Sequence, residues 1–181
     1  YKEAEEVLVE HAKKINSPVL LNGRDWSFQK KKKKLVYEHE KQKIEVGSWR
    51  PVSINEINEL QEEMSNTIIA SGGSAANSAV GFSLLGGRSA FIGRVKSDDF
   101  GSLYINDLKE ANVDFISNPV DTGNETGRCL VYVSPDAQRS MRTYLGAASN
   151  LSLENLDINA FENSEIVYME GYLWDEPVAK E

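Results

Sequence analysis

One cysteine and two histidines are all that the 181 residues offer to a soft or borderline metal ion. Cys129, His11 and His39 are too few for a transition-metal site, which draws three or four ligands mainly from these residue types. A lone cysteine also excludes an intrachain disulfide framework and fits a reducing compartment, so a cytoplasmic protein is expected. The strand-like, apolar neighbours of Cys129 predict a buried, inert thiol. Long apolar runs are missing too. None approaches the roughly 20 residues that span a bilayer, and no secretory pattern opens the chain, so no membrane partner is expected. Neither Gly-x-x-x-x-Gly-Lys-Ser/Thr nor Gly-x-Gly-x-x-Gly occurs, which argues against P-loop and dinucleotide-binding sites.

What remains is a chain with 40% hydrophobic residues and mixed charge, the composition of a globular domain large enough for one core. The charge is unevenly placed. Residues 1–43 carry 11 Lys and Arg against 7 Asp and Glu; residues 44–181 carry 9 against 21. An acidic body argues against a nucleic-acid surface. The run Lys30 to Lys34 is the one contrary sign, and without interleaved aromatics it reads as a solvated loop rather than a phosphate-binding patch.

Ala4, Val7, Leu8, Ala12 and Ile15 recur at helical spacing, predicting an amphipathic helix over 2–15, with a short strand at Pro18 to Leu21. From residue 44 the pattern becomes regular. Trp49 to Ser53 reads as a strand, Ser53-x-x-Glu56 as a capping box, and Ile54, Ile57, Leu60 and Met64 as one helix face. Strand 67–70, helix 75–85, strand 88–95 and helix 100–111 follow, the last with Phe100, Leu103, Tyr104, Leu108 and Ala111 inward. Such alternation predicts a parallel α/β sheet with crossovers. Residues 113–147 are β-rich, with strands at 129–133 and 141–145 joined by a turn at Ser134-Pro135-Asp136-Ala137. Ile166 to Met169 reads as a further strand, and Trp174-Asp175-Glu176-Pro177 as a helix start.

The chemistry concentrates at Ser71-Gly72-Gly73-Ser74-Ala75-Ala76-Asn77-Ser78. Paired glycines between a strand and a helix let a ligand reach the backbone unobstructed. The helix start offers unpaired N–H groups, and Asn77 adds an amide, so the corner suits a polyol such as a sugar. The bland alternative is tight strand–helix packing, with Asn77 merely an amide at the helix start.

This corner resembles the N-terminal signature of the ribokinase-like (PfkB-type) carbohydrate kinases. Leu85-Gly86-Gly87, Phe91-Ile92-Gly93-Arg94-Val95 and Asp98-Asp99-Phe100-Gly101 continue the likeness in order. Thr126 to Val131, Arg139 to Ala147 and Glu165 to Trp174 resemble the adenosine-kinase-like branch. The likeness runs from about Tyr37 to Glu181; residues 1–43 form a segment of uncertain origin. The resemblance implies an α/β fold: a ribokinase-like parallel sheet with flanking helices and a small β lid from 44–53 and 113–147, truncated at the C-terminus. It also implies phosphotransfer from ATP, with Mg²⁺, to a primary hydroxyl of a sugar or nucleoside, and a homodimer through the lid.

By the same resemblance Gly72, Gly73 and Asn77 hold ribose hydroxyls, Arg139 approaches the transferred phosphate, and Glu170 and Tyr172 border the acceptor pocket. An exposed hairpin arginine is the alternative for Arg139, and a core aromatic for Tyr172. Asp25 is either the strand-end aspartate of the family or an ordinary loop residue, since its spacing from Asn22 departs from the pattern. Lys96 stands where the family has glycine, so an altered or strained turn is expected there. The Gly-Ala-Gly-Asp motif that supplies the anion hole and catalytic base does not occur in the 181 residues. The chain is therefore expected to be an N-terminal portion that binds acceptor without transferring phosphate. A non-catalytic sugar- or nucleoside-binding or dimerisation module is the rival reading.

Overall fold

Ser53 starts the first helix as its spacing suggests. Its Oγ accepts from the Glu56 N–H at 3.2 Å, satisfying one of the donors a helix start leaves open. The computed structural model describes residues 27–31, 34–39, 42–64, 67–134 and 136–173. The expected helix 2–15, strand 18–21, Asp25 and the helix start at Trp174 lie outside the described residues.

The chain divides into two compact units. The first holds residues 1–50 and 131–141. In it β1 (Ser27–Lys31), β2 (Lys34–His39) and β3 (Gln42–Glu45) form an antiparallel sheet in that order. Of the lysine run, Lys30 and Lys31 end β1 and Lys34 opens β2, with Lys31 facing Lys34 in register. A second three-stranded sheet, not confined to the first unit, has the order β4 (Trp49–Pro51), β8 (Arg139–Tyr144), β7 (Arg128–Val133). The expected hairpin turn is present: Ser134 donates to Gln138 O at 2.9 Å and Ala137 to Ser134 O at 2.8 Å.

The second unit comprises 51–130 and 142–181. It contains α1 (Ile54–Glu62), α2 (Ser74–Leu84), β5 (Ser89–Phe91), α3 (Asp99–Glu110), β6 (Val113–Phe115) and the short α4 (Ile158–Glu162). β5 and β6 are parallel, with α3 as the crossover between them. Val113–Phe115 thus belongs to the α/β part and not to the β-rich hairpin in which 113–147 placed it. Ala76 of α2, Leu108 of α3 and Val113 of β6 are buried together, with Phe91, Tyr104 and Phe115 packed against them. Phe91, Tyr104 and Phe115 form an aromatic trio with centroids 6.1 to 6.3 Å apart.

Several expectations are corrected. Thr67–Ala70 and Ile166–Met169 form no strands; their backbones have no ladder partner among the described residues, and Ile68 is 94% exposed. Strand 88–95 shortens to three residues, followed by an isolated parallel bridge between Lys96 and Val120. Leu103 faces outward, one position off the buried face of α3. Cys129 is exposed rather than buried. β7 alternates half-buried and exposed residues, and period-2 geometry sends Cys129, Val131 and Val133 to the open face. Lys96 needs no left-handed turn, since the only non-glycine residues with positive φ among those described are Asn112 and Ala137.

Candidate functional site

The corner before α2 is built by a backbone only glycine adopts comfortably. Gly73, the N-cap residue, has φ 99° and ψ 135°, and it provides no side chain to cap the helix. The first ring-closing bond runs from the Asn77 N–H to Gly73 O at 2.8 Å. The N–H groups of Ser74, Ala75 and Ala76 therefore face outward without an intrahelical acceptor. Gly72, Gly73, Ser74, Asn77 and Ser78 are all exposed. A Cβ on Gly72 would meet no atom within 4 Å; one on Gly73 would meet only the Tyr104 hydroxyl at 3.9 Å. The corner is open, not plugged by packed side chains.

Two carboxylates fix its rim. Asp107 of α3 accepts from Ser71 Oγ at 2.6 Å and from the Ser71 N–H at 3.3 Å, holding the segment that enters the corner against α3. Glu170 Oε1 accepts from Ser74 Oγ at 2.7 Å and from Tyr168 Oη at 2.8 Å. The neighbouring Glu170 pushes the Tyr168 hydroxyl above its ordinary pKa, opposed by a hydrogen bond from Ser78. Burial pushes Tyr104, under the corner, up to about 12, so it is a neutral hydroxyl at any ordinary pH.

Of the residues singled out from sequence, Gly72, Gly73, Asn77 and Glu170 come together here. Tyr172 does not pack in a core; it is 81% exposed, in the short 3-10 turn Gly171–Leu173. Arg139 opens β8 in the other unit and is exposed. Ser74, Tyr104, Asp107 and Tyr168 were not indicated. Tyr104 sits at an inward helix position and reads as core; only its hydroxyl, next to Gly73, gives it another role. Among the described residues no three His, Cys, Asp or Glu side chains converge on a metal position.

The motif Asp98-x-x-Gly101 has a structural purpose. Asp98 caps α3: its Oδ1 accepts from the Gly101 N–H (2.8 Å) and Thr126 Oγ1 (2.6 Å), and its Oδ2 from the Thr126 N–H (2.9 Å). Partial burial pushes its carboxyl up, but the hydrogen bonds from Thr126 and Gly101 and the charge of Lys96 outweigh that and hold it below the usual carboxylate range.

This ordered set of corners and caps has counterparts. The pattern of the pfkB family carbohydrate kinases matches residues 46–181. The chain belongs to that family. As a pfkB-family chain it is 33% identical over 110 residues to a fructokinase of Escherichia coli, covering 61% of this chain and 36% of that one. It is 36% identical over 101 residues to a probable chloroplastic fructokinase-6 of Arabidopsis thaliana, covering 55% of this chain and 26% of that one. The crystal structure of adenosine kinase from Sinorhizobium meliloti superposes with a TM-score of 0.71 at 38% identity, covering 76% of this chain and 42% of that one. The fold is the α/β fold of ribokinase-like adenosine kinases, and the pfkB-family chain spans less than half the length of each of these relatives.

Proposed function

We propose that this chain carries the acceptor side of a kinase that transfers a phosphoryl group from ATP to a hydroxyl of a sugar or nucleoside. The open Gly72-Gly73 corner is the observation that carries the reading. Here ligand oxygens can reach the free N–H groups of α2, the Asn77 amide lies one turn on, and Glu170 offers a carboxylate to accept from ligand hydroxyls. Positioning and charge stabilisation dominate phosphoryl transfer, so orienting the acceptor is a substantial contribution. Names of relatives support both acceptor classes, fructokinase on one side and adenosine kinase on the other. ATP, with Mg²⁺, supplies the phosphoryl group in this reading. The described residues present no cluster suited to the metal, and none is assigned to it.

Calorimetric titration with adenosine, ribose and fructose, without ATP, tests the proposal. Saturable heat is expected from at least one of the three, and Asn77→Ala should weaken it about tenfold, the loss of one or two ligand hydrogen bonds. No saturable heat from any of them would overturn the acceptor-side reading.

A further inference from the structure

A second polar cleft, with a volume of about 440 Å³, lies away from the glycine corner. Arg94, Thr122, Asn124, Asn150 and Ser152 line it, with Val120 and Ala147 as apolar wall. In a chain of net charge −8, none of its lining residues is acidic and one is a guanidinium.

That guanidinium is half used. Arg94 Nη1 donates to the Asn150 carbonyl and, at 3.3 Å, to Asn155 Oδ1. These bonds pin the 150–155 segment and orient the planar group. Nε is covered yet has no acceptor, and Nη2 makes no hydrogen bond among the described residues. A covered, unpaired donor on a cation is costly, and such groups in native structures call for an explanation. The Nε–Nη2 edge is the side of the fork that meets two oxygens of a carboxylate or phosphate at once. Around it the Thr122 hydroxyl and the second hydrogen of the Asn124 amide are neutral donors, while Ser152 Oγ already donates to Asn155 Oδ1 at 3.2 Å. Asn124 Nδ2 already reaches Asn150 Oδ1 at 2.9 Å, which steadies the 122–124 loop at the rim.

We propose that this cleft is a binding site for a small oxyanion, a phosphate or carboxylate group, received by the free edge of Arg94. The site is separate from the acceptor corner, and its occupant would tie the 120–124 loop to the 147–152 segment. It does not rest on the kinase reading.

The test is a titration of the 181-residue chain with inorganic phosphate and, separately, with acetate, at ionic strength fixed with chloride. Amide shifts of Gly123, Asn124 and Ser152 are followed by NMR. Saturable shifts from either anion are expected; saturation by phosphate without acetate would identify a phosphoryl group as the occupant. Arg94→Lys keeps the charge but loses the fork, and Thr122→Asp adds a repelling charge without touching Arg94; each should weaken binding about tenfold. Thr122 makes no hydrogen bond in the described structure, so that variant is expected to fold. Absence of saturable shifts with both anions, shifts reproduced by chloride alone, or unchanged affinity in both variants would overturn the proposal.

Discussion

Asp98 shows how one residue holds several segments. It caps α3 and simultaneously takes the hydroxyl and N–H of Thr126, which is 5% exposed. Asp98→Asn would set an amide donor against the Thr126 or Gly101 N–H and is expected to cost about 1–3 kcal/mol in denaturant unfolding. The folded-state pKa of Asp98 lies below the ordinary carboxylate value, so the carboxylate contribution is complete above that ordinary value. It is lost as pH falls through the depressed folded pKa. The stability gap between the native chain and Asp98→Asn should therefore be constant near neutrality and close below about pH 4. A gap that persists at pH 2 would show that the charge is irrelevant. At this scale the sequence was legible where a residue acts locally, as at the Ser53 cap. It misled where the environment decides. Cys129 was judged from its neighbours in sequence and Lys96 from the glycine of the family pattern, but strand alternation and backbone angles, which need coordinates, determine their state.

At the scale of elements, periodicity located α1, α2 and α3 to within one or two residues, because helices satisfy their own hydrogen bonds and carry their burial pattern with them. Strands depend on partners. The apolar runs 67–70 and 166–169 look like strands in sequence, but a run becomes one only beside a second chain segment, and none pairs with them among the described residues. The same dependence splits the β-rich stretch, since Val113–Phe115 is claimed by β5. Gly101 ties two of these elements. A Cβ there would lie 2.0 Å from the Lys96 carbonyl, so α3 could not approach the bridge between Lys96 and Val120. Gly101→Ala is expected to destabilise by about 1–3 kcal/mol, the usual cost of overpacking. A chemical-denaturation midpoint equal to that of the parent chain would contradict this close packing.

On the scale of the whole molecule, the family pattern covers most of the chain, while the chain covers less than half of its relatives. The sequence disclosed the family and the glycine corner because both depend on short ordered motifs. The rim was legible only in part: the resemblance pointed to Glu170, but its 2.7 Å bond to Ser74, 96 residues away, and the Asp107 side of the rim come from folding alone. The corner itself gives the sharpest separation of fold from function. Gly73→Ala confounds the two, since a side chain at φ 99° costs about 1–3 kcal/mol whatever binds. Gly72→Ala does not, because its Cβ meets only open space in the fold but stands where a ligand would approach the backbone. The decisive measurement is the paired melting temperature and acceptor affinity of Gly72→Ala. An unchanged melting temperature with affinity reduced about tenfold is expected, the signature of one methyl group blocking contact with the backbone. Unchanged affinity for the acceptor would contradict a binding site at this corner.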